Sequence, residues 1–290
     1  MSEQRVAVVT GASRGVGKGM AIALGEAGMT VYVTGRSSGG QGGASLCGEV
    51  LPGTIDETAE AVTRAGGRGI PVLCDHADDE QIQALFERVE RDNGRLDILV
   101  NNATFLHENL IDAGGFWQKP LDMVRILDVG LRSAYVASYY AAPLMVRQQR
   151  GLIAFVSSFG ANCYMHGPAY GAQKAGVDKL AADMAVDLEA HGVAAVSLWL
   201  GPQLTERTRV AGRLRADQYA ELLAVAETPQ FNGRIVEALS RDPQLASLSG
   251  KALITAELAE RYGITDNGRL PPSYREQFGA PKEQHPARVV

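Results

Sequence analysis

The chain has 290 residues, 46% hydrophobic and 21% charged, a balance that fits a soluble globular protein able to bury a large core without staples. A net charge of −5 speaks against a nucleic-acid partner, which calls for a basic footprint. Cys47, Cys74 and Cys163 are scattered and show no CxxC spacing, so the expectation is a reducing compartment, the cytoplasm, without a zinc site.

The opening MSEQRVAVVTGAS has no apolar stretch with a cleavage site, and no run of 18 apolar residues occurs, so neither signal peptide nor membrane span is expected. His76, His107, His166, His191 and His285 show no HxH or HExxH spacing, so no metal is expected.

Short apolar runs bounded by glycine or polar residues predict buried parallel strands at 6–9, 30–34, 69–74, 96–100, 152–156 and 193–198, with a last one at 251–255. Helices are predicted at 17–28, 55–65, 79–93, 121–147 and 169–191. This alternation predicts an α/β fold, a Rossmann-type doubly wound parallel sheet in one domain over 1–290. The Gly/Ser-rich stretch 37–53 reads as an exposed, mobile loop. Residues 205–247 are helical and charged without a strand signal, which suits a substrate lid within the domain. The tail from 270 carries four prolines and is expected to drape over the surface or to be partly disordered.

The loop Thr10-Gly-Ala-Ser-Arg-Gly-Val-Gly17 joins the first strand to the first helix. In a dinucleotide-binding turn Gly11 allows the tight bend, Gly15 lets backbone approach a pyrophosphate, and Gly17 lets helix and strand pack closely. The phosphates then meet the positive end of the helix. An ordinary glycine-rich turn is the plain alternative, and the position at the first strand-to-helix junction favours the dinucleotide.

The second strand ends at Thr34-Gly35-Arg36, where an NAD site carries a carboxylate for the ribose 2′-OH. Arg36, helped by Arg14, suits a 2′-phosphate, so NADP(H) is expected over NAD(H). Asp75, just after the third strand, reads equally well as an adenine contact or as a cap for the next helix.

Tyr170 and Lys174 are spaced to share one helix face. A neighbouring ammonium stabilises a phenolate, so the pair suits general acid/base work on a carbonyl or alcohol oxygen. Ser157, thirteen residues before Tyr170, is expected to donate to the same oxygen. A turn cap is its plain alternative, a part Ser158 can play equally well. Phe116, Trp117, Phe159 and Tyr164 read as pocket lining or as packing aromatics.

TGASRGVG, NNA, SSFG and YGAQK, in this order and spacing, resemble the short-chain dehydrogenase/reductase family over about residues 5–205. HGVAAVSLWLG and LITAELAERYGITDNG resemble its dehydrogenase/reductase member one branch. The resemblance implies that Gly11, Ser13, Arg14, Gly15, Val16 and Gly17 contact the cofactor phosphates and that Asp75 and the His76 backbone contact adenine. It implies that Asn101 and Ala103 line the adenosine ribose side and that Thr205 lies near the nicotinamide carboxamide. Ser157, Tyr170 and Lys174 would be catalytic, with Lys174 also holding the nicotinamide ribose. It further implies a small-molecule carbonyl or alcohol substrate and a homodimer or homotetramer.

Three positions depart from the family pattern. Gly130 stands where many members have an Asn that holds a water linked to the lysine, Thr104 replaces a glycine, and Leu200-Gly201-Pro202 replaces Pro-Gly. Gly130→Asn is expected to be tolerated, because a missing side chain leaves room. Rival readings are a dinucleotide-binding sensor without turnover and an epimerase or dehydratase.

Overall fold

The computed structural model describes residues 4–39 and 43–289. Its elements in chain order begin with β1 (Val6–Val9), α1 (Gly15–Glu26), β2 (Thr30–Gly35), β3 (Ser45–Leu46), β4 (Glu49–Val50), α2 (Ile55–Arg64), β5 (Arg68–Leu73), α3 (Asp79–Asn93) and β6 (Ile98–Asn101). Next come α4 (Arg125–Leu127), α5 (Ser133–Arg147), β7 (Gly151–Ser157), α6 (Pro168–Leu188), β8 (Val193–Trp199), α7 (Glu206–Leu214) and α8 (Ala216–Val225). The chain finishes with α9 (Pro229–Leu239), α10 (Leu245–Leu248), β9 (Ala252–Ile254), α11 (Thr255–Tyr262) and α12 (Arg275–Phe278).

Seven strands form one sheet in the order β5-β2-β1-β6-β7-β8-β9, and every pairing is parallel. This is the doubly wound fold that the alternating runs predict. Val6–Val9 and Val193–Trp199 are buried throughout, because helices cover both faces. On one face Met20, Leu24, Ile55, Val62, Phe231 and Ile235 pack on the sheet. On the other, Ile82, Leu85, Phe86, Ala137, Leu144 and Val177 do so. Strand order reverses between β1 and β6, and their carboxyl ends open the crevice where such sheets bind ligands.

Three expectations change. The helix predicted over 121–147 is broken: Val129 has φ −103 and ψ 89, Gly130 has φ 147 and ψ −36, and regular helix resumes only at Ser133. The stretch 37–53 is not wholly exposed. It forms the hairpin β3–β4, and Leu46 and Leu51 are buried against Val210 and Ala211 of α7; residues 40–42 lie outside the described residues. In the tail, Tyr274 and Phe278 stack at 5.8 Å and pack with Phe159 and Trp199.

Within 205–247, α7 and α8 stand at the binding edge, whereas α9 belongs to the core through Phe231, Ile235, Val236 and Leu239. A Cβ on Gly19 would come within 2.2 Å of Pro229, and one on Gly233 within 2.6 Å of the Met20 backbone, so α1 and α9 meet nearly backbone to backbone.

Candidate active site

The glycine loop is held from the end of β6. Thr10 Oγ1 accepts the N–H groups of Asn102 and Ala103 at 2.9 Å and donates to the Val100 carbonyl at 3.2 Å. Asn102 Nδ2 donates to the Thr10 and Gly11 carbonyls at 2.8 and 3.0 Å. Asn102 was not among the expected site residues, although it stands in the NNA motif that the sequence does reveal. Gly11 has φ 64, and a Cβ there would reach the Ala103 Cα at 2.7 Å, so both the turn and the close approach require glycine.

The Gly15 N–H, at the head of α1, donates to Glu206 Oε2 at 2.8 Å. This carboxylate sits on the amide that a phosphate oxygen would use, so the cradle accepts an anion and a dinucleotide pyrophosphate fits its chemistry. Ser13 is buried, with its carbonyl accepting from Thr58 at 3.4 Å, and Val16 packs on the core.

On α6, Tyr170, Lys174 and Asp178 follow one another at four-residue steps on one face. Ser158 Oγ and the Tyr170 hydroxyl lie 3.0 Å apart. Ser158 also caps the short turn after β7 by accepting from Gly160 N at 3.2 Å. Ser157 points the other way: its Oγ donates to the Lys174 carbonyl at 3.3 Å and lies on the side of Asp178. The serine facing Tyr170 is therefore Ser158 and not the expected Ser157, because neighbours on a strand face opposite sides.

Lys174 is buried, with Nζ donating to the Val156 carbonyl at 3.0 Å and lying 5.4 Å from the centre of the Tyr170 ring. Burial pulls its ammonium down to about 8, against the opposing charge of Asp178. Burial pushes the Tyr170 phenol up, offset in part by the Ser158 hydroxyl. Lys174 contributes no lowering to offset this, so desolvation governs a phenol this enclosed.

The short chain dehydrogenase family model matches residues 5–217. The chain is 41% identical over 273 residues to "Dehydrogenase/reductase SDR family member 1" of Homo sapiens, covering 90% of this chain and 83% of that one. It is 28% identical over 250 residues to the 3-oxoacyl-[acyl-carrier-protein] reductase of Synechocystis, covering 85% and 93%. The crystal structure of a putative dehydrogenase from Xanthomonas campestris aligns with TM-score 0.75 at 24% identity over 94% of this chain and 98% of that one. This chain belongs to the short-chain dehydrogenase/reductase family.

As a member of that family it is an oxidoreductase that uses a nicotinamide cofactor, NAD or NADP. The Arg14 guanidinium donates to the Pro52 and Gly53 carbonyls at 3.1 and 2.7 Å and to Ser37 Oγ at 3.0 Å. Arg36 is exposed, 3.9 Å from Asp75. Asp75 Oδ1 accepts from Ala77 N at 3.0 Å in a turn of its own, and it is Asp78, not Asp75, that caps α3 by accepting from Glu80 N and Gln81 N.

The His76 ring is buried against Thr34 Oγ1 at 2.8 Å, and burial pulls it down to about 4, which leaves it neutral at pH 7. Asn101 is turned into α5, donating to Ser138 Oγ at 2.9 Å. Thr205 caps α7, with its methyl 3.5 Å from where a Gly15 Cβ would stand.

At the family's asparagine position, the Gly130 carbonyl accepts from Gln173 Nε2 at 3.0 Å and its N–H donates to Ser133 Oγ at 3.1 Å. A Cβ there would stand 3.0 Å from Thr104 Oγ1 and 3.2 Å from Gln173 Cγ. The room expected for an Asn side chain is therefore taken by Thr104 and Gln173, and φ 147 disfavours any side chain. Among the described residues no cluster of three metal-ligating side chains occurs, and no described helix is long and apolar enough to cross a membrane.

Proposed function

We propose that the chain is an NADP(H)-dependent oxidoreductase that interconverts a small-molecule carbonyl and its alcohol, with Tyr170 as the general acid/base. The observation that carries this reading is the 3.0 Å contact between Ser158 Oγ and the Tyr170 hydroxyl, one helical turn from the buried Lys174. A nicotinamide, when bound, supplies or accepts the hydride.

In the reducing direction Tyr170 gives its phenolic proton to the substrate oxygen, and the Ser158 hydroxyl donates a hydrogen bond to that oxygen as charge builds on it. The Lys174 ammonium favours the phenolate left behind and would hold the nicotinamide ribose. Gly15 and its neighbours in the glycine loop would hold the pyrophosphate.

Arg14 and Arg36 support the choice of NADP(H). Their charges act on each other, Ser37 lies beside Arg14, and no carboxylate stands at the end of β2 itself. The α7–α8 segment would act as the substrate lid. The reading also includes a cytoplasmic homodimer or homotetramer, the second as the family resemblance implies.

Titration of the protein with NADPH and with NADH tests the cofactor choice. NADPH is expected to bind tighter, and Arg36→Asp is expected to reverse the order. Equal affinities in the unaltered protein contradict it.

A further inference from the structure

The head of α1 carries no carboxylate of its own: its first turn has no acidic residue, and Arg14 before it makes no side-chain cap. The carboxylate that does meet the Gly15 N–H comes from Glu206, 191 residues further on, at the head of α7. Thr205 beside it packs over the same glycine.

The segment bearing Glu206 is built as a flap with both ends tied at one place. Leu204 N donates to the Glu227 carbonyl at 2.8 Å, and Glu227 N donates to the Pro202 carbonyl at 2.7 Å. Between these ties α8 buries no residue, and α7 buries only Val210 and Ala211, against the β3–β4 hairpin. Arg207 reaches the His107 carbonyl at 2.9 Å, and Arg215 pairs with Asp112 at 3.0 Å. Few buried apolar contacts and a shared root make such a segment the part that opens most readily.

We propose that Glu206 sets cofactor affinity: its carboxylate competes with the dinucleotide pyrophosphate for the Gly15 amide, and the 205–226 flap lifts when the pyrophosphate replaces it. This rests on the reading that a dinucleotide binds at the glycine loop. Two anions cannot share one N–H at the positive end of a helix, so one must leave. A flap latched by its own carboxylate reduces the fraction of binding-competent protein, and measured affinity falls by that fraction.

The test uses the full chain and needs no turnover. Dinucleotide and inorganic pyrophosphate are titrated against the unaltered protein, Glu206→Gln and Glu206→Ala, and trypsin cleavage between Arg207 and Arg215 is timed without cofactor. Both variants are expected to bind dinucleotide and pyrophosphate about two- to thirty-fold tighter, the range that a carboxylate at a helix head is worth. Both are also expected to be cut faster in the flap. Equal or weaker binding by the variants, with binding intact in the unaltered protein, overturns the latch and leaves the dinucleotide site standing. Failure of the unaltered protein to bind any dinucleotide overturns the site, and the latch with it.

Discussion

Ser157 and Ser158 are neighbours whose hydroxyls go to opposite sides of β7, one to the Lys174 carbonyl and one to the Tyr170 hydroxyl. Ser158→Ala should therefore lower kcat about 10²-fold or more, as loss of a donor to a developing oxyanion does. Ser157→Ala should leave kcat within a few fold and lower stability by about 1 kcal/mol, the usual worth of a buried hydrogen bond. Steady-state kinetics and urea unfolding on both variants decide this, and the opposite pattern would restore Ser157 to the catalytic role. Tyr170→Phe should keep dinucleotide binding and lose about 10²- to 10⁴-fold in turnover. At Gly130, φ 147 and the 3.0 Å approach of Thr104 make Gly130→Asn destabilising by about 1–3 kcal/mol, measurable as a shift of the urea midpoint.

The short parallel bridge between Gln203 and Glu227, joining the turn after β8 to the residues before α9, contains a carboxyl with no ion-pair partner among the described residues. Glu227 is 1% exposed, and Gln203 Nε2 and Asn232 Nδ2 donate to its Oε2 at 2.6 and 3.1 Å. Burial pushes it up from 4.5 to about 7, and those two amides offset only part of the desolvation.

A carboxyl whose folded pKa is raised binds a proton in the native state that the unfolded chain has already released. Its contribution to stability is thus present below about pH 4.5 and lost as pH rises through about 7. Glu227→Gln should remove this dependence. Between pH 5 and pH 8.5 the unaltered protein should lose stability relative to the variant, on the order of 3 kcal/mol over the full window. Parallel pH curves for the two proteins in urea unfolding would refute it.

Across the whole molecule, the chain returns at its end to the edge where Ser158 and Tyr170 meet. Phe159, next to Ser158, packs edge-on against Trp199 at 5.1 Å and against Tyr274 at 6.3 Å, with Phe278 at 5.6 Å. Removal of residues 271–290 should expose the Phe159 and Trp199 rings, lower stability by roughly 2–4 kcal/mol from lost apolar burial, and reduce turnover while dinucleotide binding persists. Differential scanning and a binding titration on the truncated chain check both halves, and an unchanged Tm would show that the tail only rests on the surface.

The sequence alone determined what depends on local pattern. Glycine spacing marks the dinucleotide turn, four-residue spacing joins Tyr170 to Lys174, and apolar runs mark the strands, because each reflects backbone geometry over a few residues. Tertiary structure alone decided which serine faces Tyr170, that Asn102 props the glycine loop, that Glu206 meets Gly15, and that Thr104 and Gln173 crowd Gly130. Those outcomes depend on strand facing and on contacts between residues tens to nearly two hundred positions apart, which no local pattern encodes.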